Sequence, residues 1–109
     1  MTVQEIDGGI IIVTDERMDS LHGPKLRDTV KEFSQERGVK LVIDMGKTLF
    51  LDSTGCGELL SCLKAVISKN GEMKIARPTP RILEIFQLTR LDKVFEIYDS
   101  VDSALESFR

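Results

Sequence analysis

The chain has 109 residues, 41% hydrophobic and 30% charged, which fits one domain able to bury roughly 65% of its unfolded surface without disulfides or a structural metal. Fifteen Lys and Arg stand against eighteen Asp and Glu, a formal charge of -3, with no basic block to neutralise phosphates, and 6% aromatic residues without Trp give no platform for stacking bases, so nucleic acid is not an expected partner. The only cysteines, Cys56 and Cys62, would lie on different faces of a helix and read as small buried hydrophobes of a reducing compartment rather than as a metal or redox pair.

Thr2 to Ile6 and Gly9 to Thr14 are β-rich runs joined by Asp7-Gly8, a dipeptide suited to the positive φ angles of a tight hairpin turn. Ile10 to Val13 is apolar without alternation, as expected of a strand buried on both faces. It is far too short for a spanning helix, which takes ~20 residues, and the residues before it are acidic, so neither a signal peptide nor a membrane anchor is expected. Asp19 and Ser20 then offer helix caps, Pro24 suits a first turn, Leu26, Val30 and Phe33 recur at helical spacing, and Gly38 offers a stop.

Val39 to Asp44 reads as an internal strand ending in a carboxylate, followed by the polar turn Met45-Gly46-Lys47-Thr48 and the apolar step Leu49-Phe50-Leu51. From Ser53 a second helix carries Cys56, Leu59, Leu60, Leu63 and Ile67 as its apolar stripe and stops at Asn70-Gly71. Met73 to Ala76 makes a further strand. Pro78 and Pro80 restart the chain, Ile82, Ile85 and Phe86 mark a third helix, and Val94 to Tyr98 is extended. Asp99 or Ser100 caps a last helix whose apolar face is Val101, Ala104, Leu105 and Phe108. Strands and helices alternating after a hairpin imply an α/β layer structure with a mostly parallel sheet and right-handed crossovers.

Several chemistries can be tested against these residues. Gly46-Lys47-Thr48 resembles the end of a P-loop, but the Gly required five positions before Gly46 is Leu41. A Ser/His/Asp triad would have to recruit His22, the only histidine, and Leu51-Asp52-Ser53-Thr54-Gly55 lacks the Gly two residues before a nucleophile elbow. Surface or capping duty suits His22 better. An aspartic protease loop fails on spacing and on the lack of a second copy. A phosphoryl-accepting receiver domain needs several carboxylates converging on Mg²⁺, and Asp44 stands alone, so it is expected to cap neighbouring backbone N–H groups.

Asp52-Ser53-Thr54-Gly55-Cys56-Gly57 is the informative stretch. Read plainly it is a helix N-cap, with two glycines permitting close packing of helix on strand. Read functionally, Ser53 presents its hydroxyl at the positive end of a helix, where an added phosphate would meet free backbone donors.

The strand ending in Leu41-Val42-Ile43-Asp44, the step Leu49-Phe50-Leu51 and this loop opening a leucine-rich helix resemble a STAS domain, the family of sulphate transporter domains and anti-sigma factor antagonists. The resemblance extends over nearly the whole chain: Asn70 to Ile75, Leu88 to Phe95 and Ser103-Ala104-Leu105 match its later segments. There are two departures. Asp15-Glu16-Arg17-Met18-Asp19 keeps the Asp of the family's Gly-x-Leu-Asp turn without the Gly, while Cys56 and Thr54 replace a common aliphatic and a common Ser.

The resemblance implies a STAS-type α/β fold, a mixed, mostly parallel sheet of 4-5 strands with about four helices, in a single domain over residues 1–109. It implies a cytoplasmic bacterial regulator that, unphosphorylated, binds an anti-sigma factor serine kinase and frees the sigma factor. The kinase would use ATP and Mg²⁺ to phosphorylate Ser53 and switch the protein off, and a PP2C-type phosphatase would reverse it. The protein is then a substrate of enzymes, not an enzyme, and needs no cofactor. Asp19, Asp52, Thr54, Gly55, Cys56 and Gly57 would form the partner-binding loop, with Asp19 and Asp52 either capping or standing beside Ser53 to orient its hydroxyl or repel the partner once phosphate arrives. No long exposed apolar stripe argues for an obligate dimer, so a monomer is expected. Two other readings remain: a permanent STAS subunit of a stressosome-like or lipid-transport assembly, and a Ser53-dependent hydrolase with His22 as its only base.

Overall fold

The computed structural model describes residues 1–108. The hairpin forms as its sequence requires: β1 (Thr2–Ile6) runs antiparallel to β2 (Gly9–Val13), and Gly8 supplies φ +98° at the turn. The chain continues through β3 (Arg17–Met18), α1 (Gly23–Phe33), β4 (Lys40–Asp44), β5 (Phe50–Leu51), α2 (Ser53–Ile67), β6 (Glu72–Ala76), α3 (Pro80–Leu88), a 3-10 turn at Leu91–Lys93, β7 (Glu96–Tyr98) and α4 (Val101–Glu106). Five strands make one sheet in the order β1-β2-β4-β6-β7, and β3 pairs with β5 in a separate two-stranded ribbon. Every pairing except β1 with β2 is parallel. This is the mixed, mostly parallel five-stranded sheet with four helices that the sequence implied.

The unalternating apolar strands are explained by two cores, one on each face of the sheet. Ile12, Leu41, Ile43, Met73 and Ile75 point to the face covered by Leu26 and Val30 of α1, Leu59, Cys62 and Val66 of α2, and Ile82 and Phe86 of α3. Ile11, Val42 and Ala76 point to the other, smaller core, where Ala104 of α4 packs. A strand covered on both sides needs apolar residues at every position. No helix among the described residues is long and apolar enough to cross a membrane.

Several local expectations are corrected. Gly38 does not stop α1. The helix ends at Phe33 with Ser34 as its cap, because Gln35, Glu36 and Arg37 are exposed and offer nothing to bury; Gly38, at φ +77°, turns the chain into β4 instead. Neither Asp19 nor Ser20 is the N-cap of α1, which is His22. The buried line of α2 is Gly55, Leu59, Cys62 and Val66, rotated from the expected stripe, and Ile67 is 58% exposed. The cause is that α2 packs against α1 as well as β5 and β6, so its apolar residues are shared between two directions. Of the extended run to Tyr98 only Glu96–Tyr98 pairs as a strand. Cys62 is buried, and burial pushes its thiol up to about 12; Cys56 is only half-buried.

The loops at the carboxyl ends of the strands are tied by polar contacts. Asp44, nearly buried, accepts from Gly46 N at 2.9 Å and from Arg77 Nε at 2.7 Å. Its backbone-capping duty is therefore as expected, with an ion pair added. Thr48 Oγ1 donates to Asp15 O at 2.7 Å and lies 2.6 Å from Thr14 Oγ1, linking the segment after β2 to the segment before β5.

Candidate functional site

The start of α2 is built by the β3-β5 ribbon. Leu49 N and Phe50 N both donate to Glu16 O, at 2.8 and 3.0 Å, and the register pairs Arg17 with Phe50 and Met18 with Leu51. Leu51 and Met18 are buried, which anchors the ribbon on the core. The Arg17 guanidinium lies 4.0 Å from the centroid of the Phe50 ring, covering that ring from outside.

Asp52 leaves the ribbon in an extended conformation and caps α2, its Oδ1 accepting from Gly55 N at 2.9 Å, while Cys56 N donates to Asp52 O at 2.9 Å to begin the helical ladder. Ser53 is therefore the first residue of a 15-residue helix, and Ser53 and Thr54 are both exposed. The amides of these two residues and the Ser53 hydroxyl have no hydrogen-bond partner among the described residues. An exposed hydroxyl beside unclaimed N–H groups at a helix N-terminus is a favourable place for an anion.

Gly55 is buried, and a Cβ there would lie 2.1 Å from Met18 O and 2.8 Å from Leu51 Cδ1. The first turn of α2 thus presses against the ribbon with no room for a side chain. Gly57, by contrast, has open space around it. Replacing the cap, Asp52→Ala, should cost about 1 kcal/mol and lower the thermal midpoint by about 4–8 °C, measured by calorimetry; an unchanged midpoint would mean the capping bond contributes nothing.

The register carries Asp19 and Asp52 to the positions just after Met18 and Leu51. Asp19 spends its oxygens locally, accepting from Leu21 N and His22 N at 3.1 Å each and from Arg17 Nε at 3.1 Å, with His22 Nδ1 at 2.8 Å. The His22 hydrogen bonds, side chain first and then backbone, hold its carboxyl well below the usual carboxylate range. Asp19 and Asp52 therefore both cap backbone amides, and neither accepts a hydrogen bond from Ser53. His22, read as a capping or surface histidine, serves as the side-chain partner of Asp19, and no hydrogen bond joins it to Ser53 among the described residues.

A depressed carboxyl pKa in the folded state stabilises the fold above the unfolded pKa, about 3.9 for Asp, and that stability is lost as pH falls through the folded value. Denaturant midpoints taken from about pH 5 downward should fall more steeply for wild type than for Asp19→Asn. Parallel curves would show that Asp19 is not the acid-sensitive group.

The structure thus gathers Asp52, Ser53, Thr54, Gly55, Cys56 and Gly57 into one capping turn and brings Asp19 to its edge. The sequence reading missed the Met18–Gly55 contact, because the two-residue strand β3 carries no pattern. It also missed Glu58, which accepts from Arg27 Nη1 at 3.2 Å and whose Cγ would lie 2.7 Å from a Cβ on Gly23; no local signal links positions so far apart in the chain. Among the described residues no group of three or more His, Cys, Asp or Glu could hold a metal ion.

Comparison with known proteins places this geometry. A model of the STAS domain matches residues 1–104. The anti-sigma-B factor antagonist of Listeria monocytogenes serovar 1/2a is 25% identical over 80 residues, 73% of this chain and 70% of that protein. The crystal structure of an anti-sigma factor antagonist from Mycobacterium paratuberculosis superposes with a TM-score of 0.86 at 26% identity, covering 99% of this chain and 92% of that one. The Bacillus cell fate determinant SpoIIAA, solved in its phosphorylated form, gives a TM-score of 0.76 at 16% identity, covering 99% of this chain and 98% of that one. With the family model spanning nearly its full length and the strand-capped helix start in place, the chain belongs to the STAS domain family.

Proposed function

We propose that this chain is an anti-sigma factor antagonist that works by partner switching. Unphosphorylated, it binds an anti-sigma factor serine kinase and releases the sigma factor; phosphorylated on Ser53, it lets go, and a PP2C-type phosphatase restores it. The observation that carries the reading is the exposed Ser53 hydroxyl at the first residue of α2 beside two amides without acceptors among the described residues. The kinase transfers the γ-phosphoryl of ATP to Ser53 Oγ, ADP departs, and the hydroxyl proton passes to the kinase. The Listeria and Mycobacterium relatives carry the antagonist name, and the SpoIIAA relative is a phosphorylated protein, which supports the same assignment here.

In this reading residues 1–109 act as one STAS domain, a cytoplasmic monomer that binds rather than catalyses. Asp19, Asp52, Thr54, Gly55, Cys56 and Gly57 surround the acceptor: Asp52 and Gly55 hold its backbone, while Thr54, Cys56, Gly57 and Asp19 border the surface that the partner covers. The test is a labelling experiment with ATP, Mg²⁺ and the anti-sigma factor kinases encoded in the same genome. Intact mass should show one added phosphoryl group on wild type and none on Ser53→Ala, which should still bind. Wild type that gains no phosphate from any of these kinases, or Ser53→Ala labelled as readily as wild type, defeats the assignment. Constitutive co-purification of unmodified protein with a large assembly would then point to a permanent subunit instead.

A further inference from the structure

We infer that Leu21 and Leu49 are the apolar anchors of the surface through which this chain holds its kinase, an inference that rests on the reading of Ser53 as the acceptor. Leu21 is 67% exposed and Leu49 is 56% exposed, yet both are fixed in place by their own backbones. Leu21 N donates to Asp19 Oδ1 at 3.1 Å, and Leu49 N donates to Glu16 O at 2.8 Å. These are side chains held out into water by ordered segments. Both segments adjoin the ribbon that frames the start of α2, Leu49 directly before β5 and Leu21 three residues after the end of β3. Leu49 precedes Ser53 by four residues, at most about 13 Å of extended chain, and Leu21 follows Met18, whose carbonyl abuts Gly55, by three. The other apolar groups of the ribbon are already occupied, since Met18 and Leu51 are buried and the Arg17 guanidinium covers Phe50.

Charge fixes the kind of occupant. Across residues 15–21 and 49–54 the carboxylates of Asp15, Glu16, Asp19 and Asp52 outnumber the one cationic side chain, Arg17, which is paired with Asp19, while the amino terminus pairs with Asp15. A second copy of this chain would bring like charges together, and an anionic lipid surface would be repelled. The complementary occupant is a protein face with apolar hollows and Lys or Arg at its rim, flanking the nucleotide that must reach Ser53.

The experiment measures the affinity of full-length variants for the kinase that labels wild-type Ser53. Leu21→Ala and Leu49→Ala should each weaken binding about 10- to 100-fold, the worth of a Leu side chain moved from water into a pocket, with thermal midpoints unchanged. Leu88→Ala, at the 76% exposed end of α3, is the control and should bind as wild type. Wild-type affinity in both leucine variants, while Ser53 is still labelled, overturns the inference and leaves the acceptor assignment standing. So does sedimentation showing that wild type alone is a dimer which Leu21→Ala or Leu49→Ala dissociates, because the occupant is then a second copy. If no kinase labels Ser53 in wild type, the acceptor assignment itself has failed and the anchors fall with it.

Discussion

Gly55→Ala should lower the thermal midpoint by about 10–20 °C, whereas Gly57→Ala, two residues on, should raise it by a few degrees. Both residues lie in the first turns of α2, where alanine is intrinsically favoured over glycine by about 1 kcal/mol. The difference is entirely in what surrounds them. Nothing lies within 4 Å of a Cβ on Gly57, so there the intrinsic gain is kept. On Gly55 the methyl group would meet Met18 O at 2.1 Å, and a backbone carbonyl cannot rotate away as the tip of a side chain can. Relief requires moving β3 off the helix, which also loosens its pairing with β5. Overpacking typically costs about 1–3 kcal/mol and occasionally more; against an unyielding carbonyl we expect about 3–4 kcal/mol, a net loss of about 2–3 kcal/mol after the helix-propensity gain, or about 4–8 °C for each kcal/mol in a domain of this size. Calorimetry on the two variants decides it, and a Gly55→Ala midpoint within about 3 °C of wild type would show that the ribbon yields easily.

Phosphorylation of Ser53 is expected to change binding by orders of magnitude and folding hardly at all. A phosphoserine brings about -1.5 to -2 charge. In the free protein that charge meets the positive end of α2 and the amides of Ser53 and Thr54, an arrangement that favours an anion by about 0.3–2 kcal/mol. The phosphorylated protein should therefore melt no lower than the unmodified one. In the proposed complex with a kinase the same group would face the nucleotide phosphates, with Asp52 alongside. Burying a repelled or unpartnered charge costs roughly 2–5 kcal/mol, a loss of about 30-fold to several thousand-fold in affinity. Ser53→Asp, with a single charge on a shorter arm, should lose less. The decisive comparison is affinity beside thermal midpoint for the same sample. If affinity and midpoint fall together, the modification acts by unfolding α2 and not by repulsion at an intact surface.

The order of strands and helices was legible in the residues because each depends on near neighbours. Asp7-Gly8 suits a hairpin, the unalternating Ile10 to Val13 fits an interior strand, and Pro80 followed by Ile82, Ile85 and Phe86 fits a short helix. The place of Ser53 at a helix start was legible for the same reason: Asp52 before Ser53 is a capping pattern, and capping is a local event. The face of α2 that is buried was less so, since a helix packed against both a sheet and α1 does not show which of two apolar directions wins.

The sequence by itself determined the α/β architecture and the exposed serine at a helix start, because periodicity and caps act within a few residues. Only the tertiary structure decided what that start is pressed against. The two-residue strands β3 and β5 have no periodicity to read, and they meet across more than thirty positions of chain. The tightness at Gly55 against Met18 and Leu51 follows from that contact. A long-range contact of this kind is fixed by which surfaces close over the shared core, a property of the whole fold and of no segment within it.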